Sequence, residues 1–170
     1  HKTMDFLEKQ YSGSFFVSNL CQDIENELRS AGWEDNTYFE KRINFCKEFL
    51  AMFPDENKTI IHNMRRSIAE SYSYLGNYEQ ADIEYLKLVE DFSDNPWGYI
   101  GWGDIYCFGS KTDYKKAEEL YKKALAIAKD EDDILVVEER LEDLMLEKRG
   151  EPCADSMHKS IVEEDECFRS

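Results

Sequence analysis

Side chains that could do chemistry are few in this chain, and the densest group of them lies near its end. Cys153, His158 and Cys167 are of residue types that bind zinc. Their separations, four and then eight intervening residues, match no common zinc-ligand pattern. We therefore predict no metal site, and a metal-binding protein stays as a lesser alternative.

The other nucleophiles and bases are isolated along the sequence. His62 lies beside Ile61 in a helical apolar pattern, which is typical of a structural histidine rather than a catalytic one. Cys46 and Cys107 have no histidine near them in the sequence, so we expect both to be small buried residues. The adjacent carboxylates Glu118-Glu119 are expected on exposed surface, whereas acid–base catalysis needs two carboxylates in one pocket.

Known catalytic and cofactor motifs are also missing from the sequence. It contains no GxxxxGK or GxGxxG phosphate-binding loop, no HExxH and no GxSxG. We therefore predict a protein with no catalytic residues, no cofactor and no metal. An enzyme is kept only as a lesser alternative.

The composition fits a folded domain with a strongly acidic surface. Of the 170 residues 42% are hydrophobic and 14% aromatic, which is enough for a packed core. The net charge of −16 repels nucleic acid and anionic membranes, so neither is an expected partner, whereas a basic protein would be attracted. No membrane-spanning run or signal peptide is visible, and the five cysteines lack CxxC spacing, so we expect reduced thiols in a cytoplasmic protein.

The elements that position these residues are all predicted to be helices, because apolar residues recur every three or four positions. We predict helices over residues 3–11, 15–30, 38–53, 57–75, 78–92, 96–108, 114–129 and 132–148. The apolar stripe of the second helix is Phe16, Leu20, Ile24 and Leu28. The predicted helix-capping residues and turns are Asn36 or Thr37, Gly76-Asn77, Asn95-Pro96, and Thr112 or Asp113. Residues 150–170 are expected to form an acidic, flexible tail.

Part of the chain repeats. Tyr72 and Tyr74 return as Tyr106 and Phe108 at a shift of 34. The three residues Tyr78, Ala81 and Tyr85 return as Tyr114, Ala117 and Tyr121 at a shift of 36. The second shift exceeds the first by two residues, and these two residues fall in a turn between the two groups. A period near 34 indicates a helical solenoid of two-helix units.

These residues resemble the tetratricopeptide repeat (TPR) family. The matching residues are Ala69, Tyr72, Gly76, Tyr78, Ala81 and Tyr85 in the first repeat, and Trp102, Gly103, Tyr106, Tyr114, Ala117, Tyr121 and Ala124 in the second. Ser93 and Ser110 depart from the family's proline and glycine. The resemblance implies an all-α fold, an α-α superhelix, with repeats at 60–93 and 96–129. Extra N-terminal helices and a capping helix at 132–148 complete a domain of residues 1–149, in which helices 15–53 are a candidate third repeat.

The resemblance also implies a concave groove lined by the first helix of each repeat. The groove residues are Asn63, Arg66, Glu70, Ser73 and Tyr74 from the first repeat and Trp97, Ile100, Asp104, Cys107 and Phe108 from the second. Some members of the family bind a carboxylate through a clamp with neutral groups where Glu70 and Asp104 stand here. Because carboxylates repel one another, we expect an apolar or basic peptide or helix instead. An open alternative is that Trp97 and Phe108 pack against the N-terminal helices or the tail.

The sequence thus favours a non-enzymatic protein–protein interaction module, an adaptor or scaffold whose partner is another protein. The first alternative is a regulatory or sensor protein that receives a small peptide effector. Two repeats are few for an independent solenoid, so a homodimer is also possible.

Overall fold

The computed structural model describes residues 17–151, and these residues form seven helices and no strand. The helices are α1 (Val17–Gly32), α2 (Thr37–Met52), α3 (Lys58–Tyr74), α4 (Tyr78–Asp91), α5 (Trp97–Cys107), α6 (Tyr114–Ile127) and α7 (Glu131–Arg149). The all-α prediction is confirmed for the described residues, and the predicted boundaries that fall within them differ from these by no more than two residues. The predicted helix over 3–11 and the tail beyond residue 151 lie outside the described residues.

Short polar side chains fix where the helices begin. The Asn77 side chain accepts a hydrogen bond from the Gln80 N–H (3.2 Å), and Asp113 accepts one from the Lys116 N–H (3.0 Å), which confirms the predicted Asp113 cap. Of the two residues predicted to cap α2, Asn36 occupies the N-cap position, but its side chain makes no capping bond. The Asp35 carboxylate instead accepts a hydrogen bond from the backbone N–H of Thr37 (2.9 Å).

The turn between α3 and α4 lies at the predicted Gly76-Asn77. Gly76 has a φ of 77°, the left-handed conformation that glycine adopts without steric cost. The Asn77 N–H then reaches back to the Tyr72 carbonyl at 2.8 Å, which closes the end of α3.

Contacts divide the chain into two compact units, and the division falls between Phe92 and Ser93. The first unit contains α1 to α4 and the second contains α5 to α7. This boundary coincides with the junction of the two predicted repeats, so each unit contains one of them.

In the first unit α2 packs between α1 and α3, and α4 packs on α3. The core contains Ile43, Cys46 and Phe49 of α2, with Met64 and Ile68 of α3. Burying these side chains stabilises the unit by about 1.5–3 kcal/mol for each large one.

The predicted apolar stripe of α1 is only half covered, since Leu20 and Ile24 are 39% and 38% exposed. Phe16 of that stripe lies outside the described residues. Among the charged residues of α1, Glu25 is the most deeply buried, with 8% of its surface exposed. Glu25 forms an ion pair with Arg42 of α2, which explains why a charged rather than an apolar side chain occupies this position.

In the second unit α6 packs against both α5 and α7. Ala117 of α6, one of the residues that repeat, is fully buried. Gly103 of α5 approaches Tyr121 so closely that a Cβ atom would lie 2.4 Å from the ring. Val137 and Leu144 form the buried stripe of α7.

Candidate functional site

A polar cavity of about 210 Å³ lies in the first unit, lined mainly by α1 and α3. From α1 come Gln22, Glu25, Asn26 and Arg29; from α3 come Asn63, Met64, Arg66, Ser67 and Glu70; and α2 supplies Arg42. Residues three, four and seven positions apart share one face of a helix, and both groups follow that spacing. Two helices therefore present polar faces to the same space.

Arg42 ties the three helices together inside this cavity. Its side chain is only 2% exposed, and its Nε donates to Glu25 of α1 at 2.6 Å. Its Nη2 donates to Glu70 of α3 at 3.1 Å, and its Nη1 to the Ser71 hydroxyl at 3.1 Å. A buried charge is tolerated only when it is paired in this way, so Arg42 and the two glutamates form one unit.

Glu70 is held as a carboxylate. Burial by itself would raise its pKa, but the neighbouring guanidinium groups, with Arg66 and Arg42 first, outweigh that effect and hold the pKa below its usual value. Arg66 lies 3.3 Å from Glu70, on the side that Arg42 does not occupy. Glu70 is thus a neutralised charge rather than a free one.

The lining as a whole carries an excess of positive charge. Three arginines (Arg29, Arg42 and Arg66) face two glutamates (Glu25 and Glu70), which leaves one formal positive charge in excess among the lining residues. This sign is opposite to that of the whole chain, whose net charge is −16. The amides of the lining add hydrogen-bond donors and acceptors around these fixed charges.

Of the five groove residues predicted from the first repeat, three line the cavity: Asn63, Arg66 and Glu70. The other two pack instead. Ser73 is 3% exposed, and its hydroxyl donates to the Glu70 carbonyl. Tyr74 stacks on Trp33 and Phe39 at centroid distances of 4.7 and 4.9 Å, and burial followed by the charge of Glu70 raises its pKa to about 12.

The predicted residues of the second repeat lie in the second unit, where most are engaged with their neighbours. Ile100 and Cys107 are each 1% exposed and offer a partner almost no surface. Asp104 accepts a hydrogen bond from the Tyr121 hydroxyl (2.7 Å) and pairs with Arg140 (3.1 Å).

The two aromatic residues of this group keep some exposed surface. Trp97 is 37% exposed, and its indole N–H donates to Asp133 at 2.8 Å. Phe108 is half-buried, with its ring centroid 5.6 Å from the Arg140 guanidinium. Both side chains are therefore anchored on α7 of the second unit, and packing against the N-terminal helices or the tail stays a prediction.

Sequence reasoning missed the contribution of α1 and the buried Arg42. The signal for α1 was present, because Gln22, Glu25, Asn26 and Arg29 repeat at helical spacing opposite the apolar residues. The apolar stripe predicts the helix but not the function of the polar face opposite it. No local sequence pattern indicates that Arg42 is buried. Arginine is rarely buried without a partner, and the partners Glu25 and Glu70 lie 17 and 28 positions away in the sequence.

The isolated nucleophiles and bases do not lie in the cavity lining. Burial, followed by the positive charge of Arg66, lowers the pKa of His62 to about 4, and its ring packs edge-on against Phe92. Burial raises the pKa of the Cys46 thiol to about 12, so it stays protonated at neutral pH. The described residues contain no group of three or more metal-ligating side chains, and Cys153, His158 and Cys167 lie outside them.

The chain matches no protein-family model, and it has no significant match among curated proteins or solved structures. None of the described helices is both long enough and apolar enough to cross a lipid bilayer.

Proposed function

We propose that this chain is a non-enzymatic interaction module whose first unit binds an acidic group of a partner protein in the α1–α3 cavity. The observation that carries this proposal is the positively charged cavity in a chain of net charge −16. Arg29 is exposed and the Arg66 side chain is 28% exposed, so both guanidinium groups can be reached by a carboxylate or phosphate, which would accept charge-assisted hydrogen bonds from them.

Binding is favoured over catalysis by the chemistry of the lining. Arginine does not exchange its proton near neutral pH, and the lowered pKa of Glu70 makes it a poor general base. Fixed charges of this kind recognise and orient a ligand, but they move no proton.

The pairing of Glu70 also changes the expectation about the partner. The apolar-or-basic hypothesis assumed that Glu70 and Asp104 present free negative charge, and each of them is instead paired with an arginine. A ligand carboxylate would therefore meet a neutralised Glu70. The apolar-or-basic partner stays a prediction for surfaces outside the cavity.

A second candidate function is that of a receptor for a small peptide effector. The cavity, at about 210 Å³, is smaller than the several hundred Å³ typical of sites for drug-sized ligands. It has room for one side chain or one chain terminus, and this suits a short peptide as well as a segment of a larger protein.

A TPR-like superhelix belongs to the same proposal. It is supported by the helix pairs α3–α4 and α5–α6, each containing one predicted repeat, and by the burial of Ala81 and Ala117. The close approach of Gly103 to Tyr121 is the packing that the family resemblance implies for the second pair.

The test compares partners captured from the native cell by three purified forms of the full chain. The wild type is compared with Arg29→Ala/Arg66→Ala and with the control Lys41→Ala/Lys58→Ala, which removes the same charge from exposed positions of the same unit. We expect quantitative mass spectrometry to show proteins that the cavity variant loses and the control retains. Identical capture by all three folded forms would contradict the proposal.

The peptide arm of the test is calorimetric. Acidic peptides derived from a captured protein should bind the wild type and the control, and should bind the cavity variant at least about tenfold more weakly. Saturable binding by a peptide of a few residues alone would favour the effector receptor over the adaptor.

A further inference from the structure

The outer face of α7 carries an apolar and acidic stripe that the function proposed above does not use. Leu135 and Met145 are 55% and 61% exposed, although both are large apolar side chains. Glu138 and Glu142 lie between them and are exposed as well. Glu131 precedes them, and in chain order the five residues are separated by four, three, four and three positions. This spacing places all five on one face of the helix: Glu131, Leu135, Glu138, Glu142 and Met145.

The opposite face of α7 fixes the orientation of this stripe. Val137 and Leu144 are buried at 0% and 1% exposure. Asp133 accepts from the Trp97 indole and Arg140 pairs with Asp104, so polar contacts hold the same inner side. Turning the helix to cover Leu135 or Met145 would break these contacts, and the stripe therefore stays in solvent.

The outer face of a helix that caps a solenoid is expected to be polar. In α7 two exposed apolar residues about 15 Å apart interrupt the acidic face (1.5 Å per residue over their separation of ten). Single exposed apolar residues need no explanation, but two aligned with carboxylates that no described residue pairs with form an organised surface. Within residues 17–151, no ion pair involves Glu138, Glu139 or Glu142.

We propose that this face of α7 docks a basic amphipathic helix of another protein. Two apolar side chains of that helix, about three turns apart, would cover Leu135 and Met145. Lysine or arginine side chains between them would pair with Glu138 and Glu142. The inference rests on the proposed role as an interaction module, but it concerns a different surface and the opposite ligand charge.

Charge decides between this occupant and those that the chain itself could supply. Residues 1–16 contain two acidic and two basic residues, so they offer this face no net positive charge. A two-fold contact between copies would place acidic face against acidic face, because such a contact joins the same patch on both chains. The segment 152–170 contains five acidic and two basic residues, so it carries the same sign as the face. A basic partner alone gains electrostatic energy and covers the apolar side chains at once.

The experiment uses the full chain and a synthetic helical peptide of about five turns, made of leucine, lysine and alanine with the leucines on one face. Fluorescence anisotropy would measure its dissociation constant at low and high NaCl concentrations. A second peptide with glutamate in place of lysine controls for the charge of the probe. Circular dichroism would check that each protein variant keeps its helices.

We expect Glu138→Gln/Glu142→Gln to weaken binding about tenfold and to reduce its salt dependence. We expect Leu135→Ser/Met145→Ser to weaken it about tenfold while the salt dependence remains. The matched control Glu79→Gln/Glu90→Gln, on exposed positions of α4, should bind like the wild type.

Three results would overturn the proposal. They are no binding to the wild type, equal binding by the α7 variants and the control, and a dimer in light scattering that Leu135→Ser/Met145→Ser dissolves. Arg29→Ala/Arg66→Ala should leave peptide binding unchanged, so failure on α7 and failure of the cavity proposal give different results.

Discussion

Arg42 holds the polar part of the first unit in place, because one guanidinium serves residues on two neighbouring helices. It pairs with Glu25 of α1 and Glu70 of α3 while itself lying on α2. Taking a charge out of water costs several kcal/mol, and only close pairing with good hydrogen bonds repays that cost. The arrangement therefore fixes how α1 and α3 face each other across the cavity.

Replacing Arg42 should strongly destabilise the folded protein. We expect Arg42→Met to lower the free energy of unfolding by about 3–5 kcal/mol, since it leaves Glu25 buried without its partner. The matched control Lys41→Met changes an exposed neighbour and should cost less than about 1 kcal/mol. Urea denaturation followed by circular dichroism measures both values. Equal small effects would mean that the buried pairing does not hold the unit together.

His62 predicts a specific loss of stability in acid. Its pKa of about 4 in the folded state lies below the usual value of 6.5, because burial and nearby arginines disfavour the charged ring. The unfolded chain therefore takes up the proton first, so the contribution of His62 is complete above pH 6.5 and is lost as the pH falls towards 4. The difference amounts to about 3 kcal/mol.

The variant His62→Leu should lose less stability than the wild type between pH 7 and about pH 4.5, because it has no ring to protonate. At pH 7 the two should differ by less than about 1 kcal/mol, since the buried histidine Nε2 has no hydrogen-bond partner among residues 17–151. Urea midpoints at both pH values give the comparison. Parallel pH profiles for the two proteins would refute this account.

At the scale of the helices, the crossing of α5 and α6 depends on a missing side chain. A Cβ atom on Gly103 would lie 2.4 Å from the ring of Tyr121, which is fully buried and bonded through its hydroxyl to Asp104. We expect Gly103→Ala to destabilise the protein by about 1–2 kcal/mol, because overpacking outweighs the gain in helix propensity.

A double variant tests the cause of that loss. Gly103→Ala/Tyr121→Leu should be less destabilised than the sum of its two single variants, because the smaller side chain removes the clash. Gly76→Ala is the control, since its added Cβ meets open space and its cost of about 1–2 kcal/mol comes from the left-handed backbone alone. The loss of stability caused by Gly76→Ala should add to the loss caused by Tyr121→Leu.

Local signals account for what the sequence could predict at this scale. Helix bounds, the Gly76 turn and the Asp113 cap are set by neighbours a few positions apart, so periodicity and turn chemistry suffice for them. The cavity depends on Arg42 meeting Glu25 and Glu70 across three helices, and no local pattern contains that information. Asn63, Arg66 and Glu70 were found only because the family resemblance supplied their common face.

For the whole molecule, the dominant long-range term is its charge of −16. Like charges repel one another most in the compact state, so folding works against this field. Partly exposed ion pairs such as Arg65–Asp91 and Lys122–Glu118 offset this repulsion only weakly, because water and salt screen them. Self-repulsion should therefore exceed the exposed pairing at neutral pH.

This balance predicts that salt stabilises the protein. Raising NaCl to about 0.5 M shortens the screening length to a few ångströms, which weakens repulsion between distant charges more than the contact pairs. We expect the thermal midpoint at pH 7 to rise with NaCl. Near the isoelectric point of about 4.6 the net charge vanishes, so the same series should give no rise. A midpoint that falls with salt at pH 7 would show that attractive pairs, and not the net acidic field, dominate the electrostatic energy of the fold.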